Sequence, residues 1–328
     1  MPLGPYSLAA SVRFLEGFVP AAYTSAEAGH FHLAFAADGS SAVAGVCIRD
    51  EGGTVVVEVV GDAEPEVVRD QVARILSLDV DGRGFPAVGQ RDPVIGRLQR
   101  RYPVLRPVLF YSSFEAAAWS VIGQRIRITQ AARIKARMAE ELGPAVTIHG
   151  ETLHAFPGPT RLADLDTYPG LPAVKLKRLR ALGHAAVTGL LDASRLRASP
   201  PATALAQLKE FPGVGDFSAE LILLRGAGEP DYLPTAEPRL DNAIARAYGL
   251  DRPPSAADRV TLATAWRPYR TWVVLLLRTM LEDETHESTR VSGERYVAGT
   301  PEDLTGTMEV RPTTGFSTLS TRYGNHPQ

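Results

Sequence analysis

Two glycines one residue apart, Gly213 and Gly215, divide two helix-like runs in Leu208-Lys209-Glu210-Phe211-Pro212-Gly213-Val214-Gly215-Asp216-Phe217-Ser218-Ala219-Glu220-Leu221. Leu205, Leu208 and Phe211 form the apolar face of the first run. Pro212 stops it, and the glycines admit backbone angles closed to other residues. Asp216 is placed to cap the second helix. A glycine turn feeding a helix start directs unpaired N–H groups outward, which is the chemistry of a phosphate cradle that needs no side chain. Without its context, the same pattern also describes a plain turn between packed helices.

Other chemistries find little support. His30, His32, His149, His154 and His184 show no helical two-ligand spacing around a carboxylate. His30 and His32 share one side of a predicted strand and are read as exposed strand histidines, with metal binding as the alternative. No GxGxxG or phosphate-loop lysine motif points to a nucleotide cofactor. The single cysteine, Cys47, excludes an internal disulfide and any four-cysteine cluster, and fits a reducing intracellular location. The longest strongly apolar run, Trp272 to Leu277, is far too short to span a bilayer, and the start, Met1 to Pro5, carries no secretory signal pattern.

The 328 residues hold 35 Lys and Arg against 37 Asp and Glu, a formal net charge of -2. The charge is unevenly spread. Arg91, Arg97, Arg100, Arg101, Arg106, Arg125, Arg127, Arg133, Lys135 and Arg137 face only Asp92 and Glu115 in the same stretch, and Lys175, Lys177, Arg178, Arg180, Arg195 and Arg197 make a second cluster. Such local basic surface governs phosphate binding more than net charge does, although solvated helix faces also carry lysine and arginine.

These residues need elements to hold them. The chain predicts an α+β protein: an N-terminal α/β domain over 1–90, a helical domain of two subdomains over 91–287 and a poorly ordered tail over 288–328. In the first, Tyr6 to Ala9 reads as a strand and Ser11 to Phe18 as a helix. Phe31 to Phe35, Ala42 to Ile48 and Thr54 to Val60 read as an antiparallel meander, followed by a helix over Pro65 to Leu78. In the second, a capping box at Ser112 and Glu115 predicts one helix to Leu142, carrying Trp119 and then Gly123-Gln124-Arg125. Further helices are expected near 160–166, 174–191, 202–211, 217–225, 238–248 and 255–282. The tail is polar and aperiodic.

Leu15-Glu16-Gly17-Phe18, Phe114 through Ile122-Gly123-Gln124, the glycine turn with Leu224-Arg225-Gly226, and Trp266-Arg267-Pro268-Tyr269-Arg270 together resemble, in order and spacing over residues 6 to 285, the DNA-3-methyladenine glycosylase II family of the helix-hairpin-helix DNA glycosylases. The resemblance implies an N-terminal domain like half of a TATA-binding protein, with a base pocket between two helical subdomains behind it. It implies base-excision repair: hydrolysis of the N-glycosidic bond of an alkylated purine, such as 3-methyladenine, flipped out of double-stranded DNA. A non-catalytic damaged-DNA-binding protein of the same fold is the alternative.

By the same resemblance Glu237, after Leu233-Pro234-Thr235-Ala236, stands where the family has its catalytic aspartate. Asp241 and Asp231 are the nearby substitutes, and a glutamate at a helix start is otherwise ordinary. Phe18 and Phe217 match pocket aromatics, Trp119 is mainly core but borders the pocket, and Leu221 and Arg278 replace aromatics of the family. Phe217 also occupies the position of the lysine used by bifunctional relatives, which implies a monofunctional hydrolase. Gln124 and Arg125 match the wedge that fills the gap left by the flipped base, and Pro212, Gly213, Val214 and Gly215 the phosphate anchor. The resemblance implies no cofactor, with a structural monovalent cation on the hairpin carbonyls as the family-level alternative. The expected partner is alkylated duplex DNA, with no membrane, and the expected state is a cytoplasmic, nucleoid-associated monomer.

Overall fold

The computed structural model describes residues 3–17, 30–285 and 307–312. Its elements run α1 (Leu8–Gly17), β1 (His30–Ala36), β2 (Val43–Glu51), β3 (Thr54–Gly61), α2 (Pro65–Ile75), α3 (Phe85–Arg91), α4 (Pro93–Arg101), α5 (Ser113–Ile122) and α6 (Ile128–Leu142). Next come β4 (Ala145–Ile148), β5 (Glu151–His154), α7 (Pro159–Ala163), α8 (Ala173–Val187), α9 (Ala193–Ala198), α10 (Pro201–Lys209) and α11 (Asp216–Leu221). Helix α11 runs into a π-helical segment, Ile222–Ala227, before α12 (Leu240–Tyr248), α13 (Ala256–Ala263), α14 (Arg270–Thr285) and β6 (Thr307–Pro312).

Strand alternation builds the N-terminal sheet. Strands β1, β2 and β3 pair antiparallel in the register Leu33↔Val46↔Val59, so Phe31, Leu33, Phe35, Val46, Ile48, Val55 and Val57 share one face. That face closes on Val68, Val72 and Ile75 of α2 and Leu15 of α1. The hairpin β4–β5 packs on the other face of the sheet, where Ala34, Val43, Val146, Leu153 and Ala155 meet. Gly45 permits this approach, since a Cβ there would lie 2.8 Å from Cγ2 of Val146.

Several expectations change. The stretch from Tyr6 to Ala9 is no strand, because Leu8 already starts α1. Residues 307–312, expected in a poorly ordered tail, form β6, which pairs parallel with β3 from Thr54↔Thr307 to Val59↔Pro312. The rest of that tail lies outside the described residues. The single helix expected from Ser112 to Leu142 is two, because Arg125 takes a left-handed backbone (φ 56°) after Gly123. The helix expected over 255–282 is also two, separated at Arg267-Pro268, where proline cannot continue a helix.

The helices bury two cores. One joins α5, α8, α10 and the π segment through Phe114, Ile122, Leu179, Leu208 and Ile222. The other joins α3, α4, α12 and α14 through Val88, Ile95, Leu240, Trp266 and Leu277. Val88 thus ties α3 to the helical part, so the expected division at residue 90 falls at the end of a helix that packs with α4, α12 and α14. Asp92 accepts from the Val94 and Ile95 N–H groups as the N-cap of α4, and also from Trp266 Nε1 (3.0 Å) and the Tyr248 hydroxyl. Buried Arg106 donates to the carbonyls of Leu3, Pro5, Ser77 and Val80, and burial pulls its guanidinium down to about 10. No helix among the described residues is long and apolar enough to cross a membrane.

Candidate functional site

The glycine turn links α10 to α11, and Val214, buried in the helical core, pins it from beneath while its N–H donates to Phe211 O (3.0 Å). Only one of the two glycines has the unusual backbone expected of both. Gly213 has φ 87°, and a Cβ there would lie 2.5 Å from Arg178 Cδ. Gly215 has φ −97° and ψ −172°, extended backbone open to any residue, with open space where a Cβ would be. Asp216 does not cap α11. It is the first residue of that helix, and its carboxylate pairs with Lys209 Nζ at 3.0 Å. Pro212, Gly215 and Phe217 are exposed, and Phe217 keeps 46% of its surface.

These facts separate fold from recognition. Gly215→Val should leave the melting temperature within about 2 °C of wild type, a surface-sized change, yet weaken DNA binding by a bulky group set against the backbone. Gly213→Val should lose both stability and binding, since it strains a left-handed position and strikes Arg178. Thermal melts beside salt-dependent DNA titrations read the difference. Wild-type affinity in Gly215→Val would contradict a phosphate at this turn.

The loop between α5 and α6 is braced against the hairpin. Gln124 Nε2 donates to Gly213 O (2.7 Å), and Arg178 Nη1 donates to Gln124 Oε1 (2.6 Å). Lys175 Nζ closes the end of α5 by donating to Ile122 O (2.7 Å), and burial lowers its ammonium from the usual lysine value. Gln124 is therefore committed to the protein, while its neighbour Arg125 is exposed on a left-handed backbone. Strained residues of this kind gather at ligand-binding positions.

Not all the basic residues are available to a polyanion. Arg106 is buried, Lys135 pairs with Glu115 at 2.6 Å inside the helical core, and Arg91 donates to the carbonyls of Ala265 and Arg267. Arg125, Arg127, Arg133 and Lys177 are exposed.

Further along α11, Glu220 is only 5% exposed, yet makes three bonds through its carboxylate. Oε1 accepts from Thr235 N (2.7 Å) and Thr235 Oγ1 (2.8 Å), and Oε2 accepts from Ala236 N (2.9 Å). Bonds to an ionised acceptor are the strong ones, so the second hairpin helix grips the loop ending in Glu237. The sequence reading missed this. The available signal was a lone carboxylate in the apolar run Leu221-Ile222-Leu223-Leu224, where a charge must find partners.

Glu237 itself is partly exposed. Its Oε1 accepts from Arg239 N (3.2 Å) and from Arg278 Nη1 (3.1 Å), leaving acceptor capacity on the second oxygen. Arg278 also donates to Glu282 Oε1 at 2.7 Å. Burial pulls the Arg225 guanidinium beneath them down to about 10, offset in part by the charges of Glu282 and Glu237. Arg278, expected from the resemblance to replace an aromatic, thus meets Glu237, expected to replace an aspartate. The longer side chain reaches an arginine that the shorter one would approach less closely.

The two substitute carboxylates are engaged elsewhere. Asp231 is held by Arg270 Nε (2.8 Å) and Arg267 Nη1 (3.2 Å), and Asp241 by Arg259 Nη1 (2.6 Å). Trp119 lies in the helical core, 8% exposed. Phe18 lies outside the described residues. Hydrogen bonds nonetheless link these elements, because Gln124 bonds the turn and Glu220, on the helix that follows it, bonds the loop before Glu237.

No family model matches the chain. It is 31% identical over 218 residues to a Mycobacterium tuberculosis protein named "Probable bifunctional transcriptional activator/DNA repair enzyme AlkA", a match covering 65% of this chain and 42% of that protein. The chain therefore spans less than half the length of that relative. It is 22% identical over 241 residues to a DNA-3-methyladenine glycosylase of Bacillus subtilis, covering 69% of this chain and 78% of the relative. The solved 3-methyladenine DNA-glycosylase from Archaeoglobus fulgidus superposes with a TM-score of 0.70 at 21% identity, over 87% of this chain and 98% of that one, so the two share a fold. In sequence the chain is thus similar to a DNA repair enzyme and to a DNA-3-methyladenine glycosylase, and in fold to a solved 3-methyladenine DNA-glycosylase.

Proposed function

We propose that the protein is a monofunctional DNA glycosylase that hydrolyses the N-glycosidic bond of alkylated purines in duplex DNA. The observation that carries this reading is the placement of Glu237, directly after a loop whose Thr235 and Ala236 N–H groups Glu220 holds to the helix that follows the glycine turn. In the reaction the bond from C1′ of the sugar to the base nitrogen breaks, and its electron pair leaves with the base. An alkylated purine is already cationic, so it departs as a neutral molecule. The sugar becomes oxocarbenium-like, and the charge of Glu237 favours that state. Water adds its oxygen to C1′, and Glu237 or solvent takes the proton.

The remaining assignments follow the same reading. Pro212 to Gly215 anchor a backbone phosphate, a monovalent cation being compatible with the turn carbonyls, and Arg125 fills the space of the flipped nucleotide. Phe217 flanks the extruded base with Phe18, while Trp119 supports the wall from the core. Phe217 offers no amine for Schiff-base chemistry, so the sugar stays in the unbroken strand as an intact abasic site. The N-terminal sheet and α2 form the domain like half of a TATA-binding protein, and the enzyme works as a monomer.

A second reading rests on one observation, the Arg278 contact. A guanidinium 3.1 Å from Glu237 offsets negative charge at the place where a cation must form. A protein that binds damaged DNA without cutting would tolerate this arrangement. Incubating the purified protein with alkylated duplex DNA separates the two. Free methylated purine together with alkali-labile, otherwise unbroken strands is the expected result. Tight binding to damaged duplex with no base released would establish the non-cutting reading instead.

A further inference from the structure

The outer face of the N-terminal sheet carries a cluster that plays no part in the reaction above. His30 and His32 project from β1 on the face away from the α2 core, and the β4–β5 turn brings His149 to them. One ligand-capable nitrogen of each of the three imidazoles lies within 4.8 Å of the others. The rings of His30 and His32 stack at 5.1 Å, and that of His149 meets His32 edge-on at 5.2 Å. The sequence reading of an exposed pair does not hold for His32, which is 8% exposed.

The hydrogen bonding of His32 decides what the cluster can do. Its Nδ1 lies 2.6 Å from Glu151 Oε2, and a carboxylate acceptor there fixes the proton on Nδ1. Nε2 then presents a lone pair. That atom is buried and has no hydrogen-bond partner. A buried polar nitrogen without a partner is costly, and a carboxylate behind a histidine is the arrangement that orients and strengthens a metal-ligating imidazole. His149 is steadied in the same way, its Nε2 lying 3.1 Å from Glu58 Oε1, while Arg49 Nη1 holds the other oxygen of Glu58 at 3.1 Å.

We propose that His30, His32 and His149 bind a divalent transition metal of the zinc class, with Glu151 and Glu58 as the carboxylates behind the ligands. Neutral imidazoles select zinc, copper or nickel over magnesium or calcium. Bonds of about 2.0–2.1 Å require ligand nitrogens roughly 3.3 Å apart in a tetrahedral site. The nitrogens lie within 4.8 Å of one another, a gap that side-chain rotation would close. His149 sits on a two-residue turn with Gly150, both left-handed (φ 49° and 83°), between paired Ile148 and Glu151. The bound ion ties the sheet to the β4–β5 hairpin, which belongs to the chain between α6 and α7. It is a staple between the N-terminal sheet and the helical part, and it does not depend on the glycosylase reading.

The test uses the untagged full chain, stripped with a chelator and titrated with zinc ion against a competing indicator. One equivalent is expected to bind with a sub-micromolar dissociation constant, raise the melting temperature and shift the imidazole nitrogen resonances of all three histidines. His149→Asn, which suits the left-handed turn, and His30→Gln should each weaken binding by at least about 100-fold, a loss of about 2.7 kcal/mol, while keeping the unliganded melting temperature. His184→Ala, on α8, should bind zinc as the wild type does. Absence of saturable one-to-one binding at micromolar zinc overturns the site. So does wild-type affinity in His149→Asn and His30→Gln, or an equal loss in His184→Ala.

Discussion

Glu237→Gln should lower the release of alkylated purine by about 10²–10³-fold, the range seen when one group stabilising a developing charge is removed. Glutamine keeps the shape and both acceptor contacts to Arg239 N and Arg278, so the local structure survives. What disappears is the negative charge beside the sugar. DNA affinity should change little if, as proposed, the hairpin anchors phosphate and Arg125 fills the space of the flipped nucleotide apart from this carboxylate. Single-turnover base release beside equilibrium DNA binding reads both quantities. Release equal to wild type would remove Glu237 from the chemistry. Asp241 and Asp231 are poor successors, since each is held by arginines of other elements.

Glu220→Ala should have the next largest effect, through position instead of contact with the substrate. Removing the carboxylate leaves the N–H groups of Thr235 and Ala236 without their acceptor, a cost of about 3 kcal/mol for strong charge-assisted bonds. Alanine therefore lowers the melting temperature as well as the rate. Glu220→Gln separates the two effects. Its amide keeps an oxygen for Thr235 but turns a donor toward Ala236 N, so the loop before Glu237 shifts with less loss of core. A displacement near 1 Å in a reacting group costs on the order of 100-fold. The maximal rate of Glu220→Gln should thus fall by at least about tenfold, one decade of that range, with KM for DNA nearly unchanged. An unaltered maximal rate would reduce Glu220 to a purely structural residue.

The sequence announced its hairpin because proline and glycine act locally. Pro212 ends a helix and Gly213 turns the chain without reference to distant residues. Gly215 shows the limit of that logic, for its backbone is ordinary and its value lies in the open space around it. Strands β1 to β3 were readable from alternation and β-branching. The β4–β5 hairpin escaped because each strand has only four residues and its buried positions face another sheet. The break at Gly123-Gln124-Arg125 escaped for a different reason. Gln124 and Arg125 have no strong local preference against helix, and the turn is held by Arg178 and Gly213, far away in sequence.

The site was readable in part. Glu237 came from the resemblance, whereas its setting came from contacts between separate elements: Arg278 on α14, Glu220 on α11 and Arg225 in the π segment. A buried carboxylate such as Glu220 is a warning in any sequence, but its partners, the backbone N–H groups of Thr235 and Ala236, carry no side-chain signature. The histidine cluster shows the same asymmetry. The pair on β1 was visible by its spacing, and only the fold brought His149, Glu151 and Glu58 to it.

In the proposed reaction Glu237 supplies negative charge to a cationic sugar despite the guanidinium of Arg278. The most direct measurement of this role is the affinity of the protein for two matched duplexes, one with a cationic pyrrolidine and one with a neutral tetrahydrofuran in place of the target sugar. Wild type should prefer the cationic duplex by at least about 100-fold, as transition-state mimics are preferred, and Glu237→Gln should lose most of this preference. Equal affinity of wild type for both duplexes would contradict this role.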